Sequence, residues 1–313
     1  MSSYRDALLF VFLSAIWGTS FMAIKVGLDY LPPVLFAAFR YDIAAVVMLG
    51  YAAVAVEYWT PRTTADYLTV LVEGVLIIAL YNAFLFVGEL GVSSGVAAIL
   101  IGMSPILTTG FSRAVLPSER LSAVGVAGLL LGFLGVGLVV FPRDGTLAVG
   151  DLVSPGFVLL AAASVALGSV LVQRLDGDIS SEGMVAWSTA FGAVILHVIS
   201  LARPAESLAA ADLTTDAIVA LAYLAVVASA IGYVVYFDLL ERLGAIEINL
   251  VSYAAPVFAA ISGWIVLDET LDVLSAAGFL VIFVGFALLK RRALGDELRT
   301  LQHRYQSDAP EQR

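Results

Sequence analysis

The sequence predicts an all-α polytopic membrane protein of ten transmembrane helices arranged as two inverted five-helix repeats, and three observations carry that prediction. Of the 313 residues, 61% are apolar and only 13% charged, where a soluble domain carries about 25% charge. Apolar runs of roughly 20 residues, the length that crosses about 30 Å of hydrocarbon at 1.5 Å per residue, recur along nearly the whole chain. Finally, one stretch is written twice: Leu90 to Leu121 and Leu243 to Leu271 each run apolar to a proline (Pro105, Pro256), then to Leu116 or Leu267, then to an acidic turn at Glu119 or Glu269. Gly18 and Gly168, Leu121 and Leu271, Gly128 and Gly278, and Gly135 and Gly285 all keep a spacing of 150, so the chain reads as one unit repeated.

In order, the apolar runs are about 7–28, 33–56, 67–88, 91–113, 121–141, 152–173, 183–202, 216–238, 245–267 and 272–290. The first repeat is placed at 1–145, the second at 146–292 and a solvated tail at 293–313; DGTLAVGD, opening on Asp144-Gly145, is the turn that joins the halves. The N-terminal run has no small-residue cleavage pattern and is read as an uncleaved first span. If the N-terminus is cytoplasmic, only Arg143 and Arg203 of the 16 Lys and Arg fall outside. Lys25 and Arg40 lie within apolar runs, so 16 less four leaves twelve inside. The positive-inside rule thus puts both termini in the cytoplasm. Five spans per half, an odd number, then make the second half enter upside down, the architecture of secondary transporters with a substrate site near the midplane.

The charged and polar residues inside the runs are the candidates for chemistry. In the first run Trp17 and Lys25 share a helical face; Lys25 either snorkels to the surface or stands over a cavity mouth, attracting an anion. In the second, Arg40 and Asp42 lie about 10 Å and 13 Å beyond Pro33 and need partners, since each charge costs roughly 2.5–3.5 kcal/mol in lipid. Two residues apart means about 200° of rotation, so only one can face a shared cavity while the other locks neighbouring helices. Asp42 is either a buried acid or ion-pair partner or a proton carrier. Pro105 and Pro256 bend their helices and expose carbonyls. Before them stand Gly102 and Ala98 in one copy but Tyr253 and Asn249 in the other, an asymmetry that suits either an asymmetric substrate or interhelical hydrogen bonds. Tyr81, Asn82, Tyr233 and Tyr236 add polar aromatic faces that line a pocket or simply pack. Glu73 and Glu247 are expected to reach water at the cytoplasmic ends. The glycine stripe Gly125, Gly128, Gly132 and Gly135 suits close helix packing within one molecule or a dimer contact.

Several classes are excluded. No cysteine is present and the two histidines, His197 and His303, make no metal cluster, so neither cofactor nor metal is expected. The sequence has no Walker loop, no G-x-S-x-G and no H-E-x-x-H, which removes an ATP motor and the common hydrolases. A net charge of -10 argues against nucleic acid; its carboxylates sit almost wholly between the spans, which fits a host living in strong salt.

Trp17-Gly18 with Lys25, Pro33 with Arg40, and the two proline-to-glutamate stretches resemble the EamA family of the drug/metabolite transporter superfamily, over about residues 1–292. The resemblance implies ten helices, a central cavity made by helices 1–4 and 6–9, helices 5 and 10 at the periphery, and alternating access. It also implies export of amino acids or other metabolites and drugs, while related carriers exchange anionic substrates; Asp42 is not part of that pattern. The expectation is a transporter in the cell membrane, monomer or homodimer, that touches lipid and a small-molecule substrate at Trp17, Lys25, Arg40, Tyr81, Asn82, Tyr233, Tyr236, Asn249 and Tyr253, with coupling to protons or another ion left open. Two alternatives stand beside it: an anion exchanger built on Lys25 and Arg40, and a membrane scaffold or sensor that transports nothing.

Overall fold

The computed structural model describes residues 2–115, 123–141, 149–175, 177–243, 248 and 250–289. The turn at Glu119, the joint at Asp144-Gly145, Glu247, Asn249 and the tail from Lys290 lie outside the described residues. What is described is all helical: α1 Ser2–Leu28, α2 Pro33–Ala55, α3 Thr64–Gly88, α4 in two pieces at Ser94–Ile101 and Ser104–Val115, α5 Ala123–Val140, α6 Val153–Leu175, α7 Ser181–Leu201, α8 Thr215–Leu243, α9 Val251–Leu267 and α10 Val273–Leu289. Seven of these are long and apolar enough to cross a membrane; α5, α9 and α10 are shorter apolar helices. This is a multi-pass membrane protein.

The helix starts are set by local chemistry. Thr63 and Asp66 form a capping box on α3, and Ser93, Ser180 and Thr214 accept from backbone N–H groups at the starts of α4, α7 and α8. At the start of α2 the chain uses Pro32 and Pro33, which supply no N–H, and the carboxylate of Glu206 from the α7–α8 connection accepts from Val34 and Leu35 N–H at 3.0 Å. A buried anion at a helix N-terminus meets both the unpaired donors and the positive end of the dipole.

Two interruptions recur at matching places. The middle of α3, Glu73–Leu80, is π-helical, and so is the middle of α8, Tyr223–Ile231; the two start 150 residues apart. A π segment widens the turn and releases carbonyls from the regular ladder. Side chains take them up: Ser164 and Asn82 donate to Leu76 and Ile78 in α3, each at 2.7 Å, and Trp17 donates to Ala228 in α8 at 3.1 Å. Pro105 does not bend a continuous helix. α4 stops at Ile101, turns through Gly102-Met103 and restarts at Ser104, because a proline fits the first turn of a helix and not its interior. Pro256, by contrast, stands inside α9.

The helices pair as α1 with α9, α2 with α7, α3 and α4 with α6, and α4 with α9. α5 and α10 meet each other on glycine. A Cβ on Gly128 would lie 2.5 Å from the Gly285 carbonyl oxygen, and one on Gly135 2.6 Å from that of Gly278; the reverse substitutions meet the same obstacles. The pairing is reciprocal: 128 meets 285, the equivalent of 135, and 135 meets 278, the equivalent of 128. The stripe is therefore spent on packing inside one molecule, with Gly132 against Met103 and Ile106.

Candidate substrate cleft

Arg40 is the pivot of the polar interior. It is 9% exposed, its Nε donates to Ser229 Oγ in the π segment of α8 at 3.1 Å, and its guanidinium carbon stands 5.0 Å from the centroid of the Tyr41 ring. Among the described residues no carboxylate comes within ion-pair distance of it. The Tyr41 hydroxyl accepts from Asn82 Nδ2 at 3.0 Å, and since that same amide donates to Ile78 O, Asn82 is fixed with its Oδ1 buried and without a partner. Tyr81 and Tyr233 are within electrostatic reach of both Arg40 and Tyr41.

α1 closes the cluster. The Trp17 indole passes over Gly232, where a Cβ would lie 2.8 Å from its nitrogen, and so reaches the Ala228 carbonyl. Its ring sits 5.6 Å from Tyr236 and 6.4 Å from Tyr233. Two residues further along α1, Thr19 and the Tyr223 hydroxyl share a hydrogen bond. The cluster thus brings together, from α1, α2, α3 and α8, one guanidinium, five phenols, an indole and an amide. Such a surface has donors and π faces for an anionic or zwitterionic organic solute.

The structure places Trp17, Arg40, Tyr81, Asn82, Tyr233 and Tyr236 near one another, whereas other candidates go elsewhere. Lys25 is partly buried and is held by backbone. Its Nζ donates to the carbonyls of Glu89 at 2.6 Å and Val92 at 3.0 Å, so it caps the C-terminal end of α3, where a cation suits the dipole. Asp42 points away from Arg40, accepting or sharing a hydrogen bond with His197 Nε2 on α7 at 2.8 Å; both groups are partly exposed. Tyr253 packs its ring against Phe286 at 4.5 Å and Phe283 at 5.5 Å on α10, and its hydroxyl has no partner among the described residues.

One expectation is corrected. Glu73 does not reach water: it is 6% exposed, within the π segment of α3, and accepts from Ser188 Oγ at 2.9 Å. Little in the residue pattern marks the other buried polar groups. Tyr41 is masked by its charged neighbours, and Glu89 follows the last apolar residue of its run and looks like a loop residue. In the structure Glu89 is fully buried, and among the described residues neither carboxylate oxygen has a hydrogen-bond partner.

The molecule is a multi-pass helical membrane protein with a buried cationic and aromatic cluster between its helices. The profile of the EamA-like transporter family matches residues 6–141 and again 154–291, and the chain belongs to that family; its function is transport, not catalysis. It is 28% identical over 292 residues to the uncharacterized transporter YvbV of Bacillus subtilis, covering 92% of each chain. It is 29% identical over 308 residues to a probable amino-acid metabolite efflux pump of Escherichia coli, covering 93% of this chain and 98% of the relative. A solved crystal structure shares the fold with a TM-score of 0.64 at 21% identity, over 93% of this chain and 99% of that one.

Proposed function

We propose that this membrane transporter exports a small carboxylate-bearing metabolite, an amino acid or related solute, by alternating access between two inverted five-helix repeats, with both termini cytoplasmic. The observation that carries the substrate reading is Arg40, a buried guanidinium that bonds one hydroxyl and no carboxylate. A charge in that position needs a counter-group, and a substrate carboxylate supplies it. The Escherichia coli relative points to the same solute class. Lys25, held by backbone carbonyls, is less suited to a second anion site, which favours this reading over anion exchange.

Support for the inverted repeat comes from the matched π segments and from the reciprocal glycine contacts, since a two-fold axis lying between α5 and α10 exchanges 128–285 with 278–135. A Cβ built on Gly102 would lie 3.7 Å from the carbonyl oxygen of Ser252, next to Tyr253, the equivalent of Gly102, as residues close to such an axis do. The test is uptake of labelled amino acids and organic acids into proteoliposomes, with and without a pH gradient. Carboxylate-dependent flux that disappears in Arg40→Gln at normal expression supports the proposal. Unchanged flux in that variant, or none for any compound in the native protein, removes it.

A further inference from the structure

Beyond the cleft, the connection from α3 to α4 forms a polar junction between the two halves. From the first half, Lys25 on α1 holds the carbonyls of Glu89 and Val92. From the second, Glu269, in the turn between α9 and α10, accepts from the Ser94 N–H and from the Ser94 hydroxyl, while Gly91 lies directly against Ser154 on α6. In the middle of this seal stands Glu89, fully buried, with both oxygens unpartnered. The charged groups that face it are Lys25 from α1, Arg40 from α2 and Glu269 from the α9–α10 turn; Tyr81, on its own helix, is the remaining titratable neighbour.

We propose that Glu89 is a proton-binding site that latches this end of the transporter, shut when the carboxyl carries a proton and released when it is ionised. A buried carboxylate without a protein hydrogen-bond partner is among the most costly groups to bury, whereas the neutral acid is tolerated. Burial pushes the Glu89 carboxyl well above the usual range; Lys25 pulls it partly back, Glu269 adds to the rise and Arg40 opposes it. Loss of the proton to water leaves two carboxylates, Glu89 and Glu269, in one buried junction. Lys25 is the nearest cation and is already committed to carbonyls. Hydration then relieves the charge only if the halves part at this seam. The sign follows: below its raised pKa Glu89 is neutral and the seal holds, and opening grows as pH rises through it.

The site rests on the transport reading only in supposing that this end opens, and its test needs no substrate. The chain has no cysteine, so Leu90→Cys and Val273→Cys, both exposed at this end, take spin labels without further changes. In proteoliposomes the ratio of the longer to the shorter inter-label distance is expected to rise with pH, by up to tenfold per unit as one-proton linkage allows. Glu89→Gln should hold the short distance at every pH, and Glu89→Asp should restore the dependence with a displaced midpoint. A ratio that ignores pH from about 5 to 9 in the native background, or a Glu89→Gln variant that titrates as the native protein does, overturns the proposal. The native titration alone decides the matter if the glutamine variant does not fold. Missing flux with an intact pH response would count against the substrate reading and leave the latch standing.

Discussion

The seam between α5 and α10 and the cleft between α1, α2, α3 and α8 are both places where helices meet, yet they are built in opposite ways. At the seam, backbone touches backbone: Gly128 and Gly135 lie against the carbonyls of Gly285 and Gly278. In the polar cluster, side chains bridge the helices: Arg40 reaches Ser229, Trp17 reaches Ala228, and Asn82 reaches Tyr41. Small residues give close, dry contact that resists parting. Long polar residues give contacts that can be exchanged for those of a ligand. The difference separates what holds the molecule together from what it works with.

Changes at the two places should therefore fail differently. The largest effect is expected for Gly135→Val, whose Cβ would stand 2.6 Å from a backbone oxygen; overpacking of this kind costs about 3 kcal/mol. Thermal unfolding in detergent should show a lowered midpoint, while the fraction that remains folded binds solute normally. A native-like melting curve would mean that the seam yields more easily than its geometry implies. Next comes Arg40→Gln, which removes charge-assisted bonds worth about 1.5–3 kcal/mol. Affinity for a carboxylate-bearing solute should drop roughly 10- to 100-fold with little change in melting. If melting collapses instead, Arg40 belongs with the scaffold and the contrast fails.

Trp17→Phe keeps the ring but leaves the Ala228 carbonyl without its donor. The expected loss is about 1 kcal/mol, seen as a modest rise in the solute concentration for half-maximal flux. The smallest effect is expected for Asp42→Asn, because the pair with His197 is partly exposed and such pairs contribute about 0–1 kcal/mol. Flux within about fivefold of the native value would agree; a total block would bring Asp42 back as a proton carrier.

The helices were legible in the sequence because the length of an apolar run and the spacing of its repeat are one-dimensional properties. Facing is legible in part: the rotation between Arg40 and Asp42 foretells that they diverge, and they do, one to α8 and the other to α7. What could not be read were contacts whose second member is backbone. Lys25 is held by carbonyls that every residue possesses, so no residue type announces them. The π segments leave no compositional mark, since EGVLIIAL and YLAVVASAI look like any other apolar stretch. Glu73 and Glu89 mislead for a related reason. A carboxylate near the end of an apolar run is normally at the water boundary, and only the packing of a third helix or a second loop shows that it is not.

The reciprocal rungs of the α5–α10 seam bear on how such a chain could arise. Because each rung takes one glycine from either copy, a lone five-helix ancestor inserted in both orientations would need no new residue to dimerise: Gly128 of one molecule would simply meet Gly135 of the other. Fusion of the two genes would then fix a partnership already encoded, and would free each half to change its interior without losing the other.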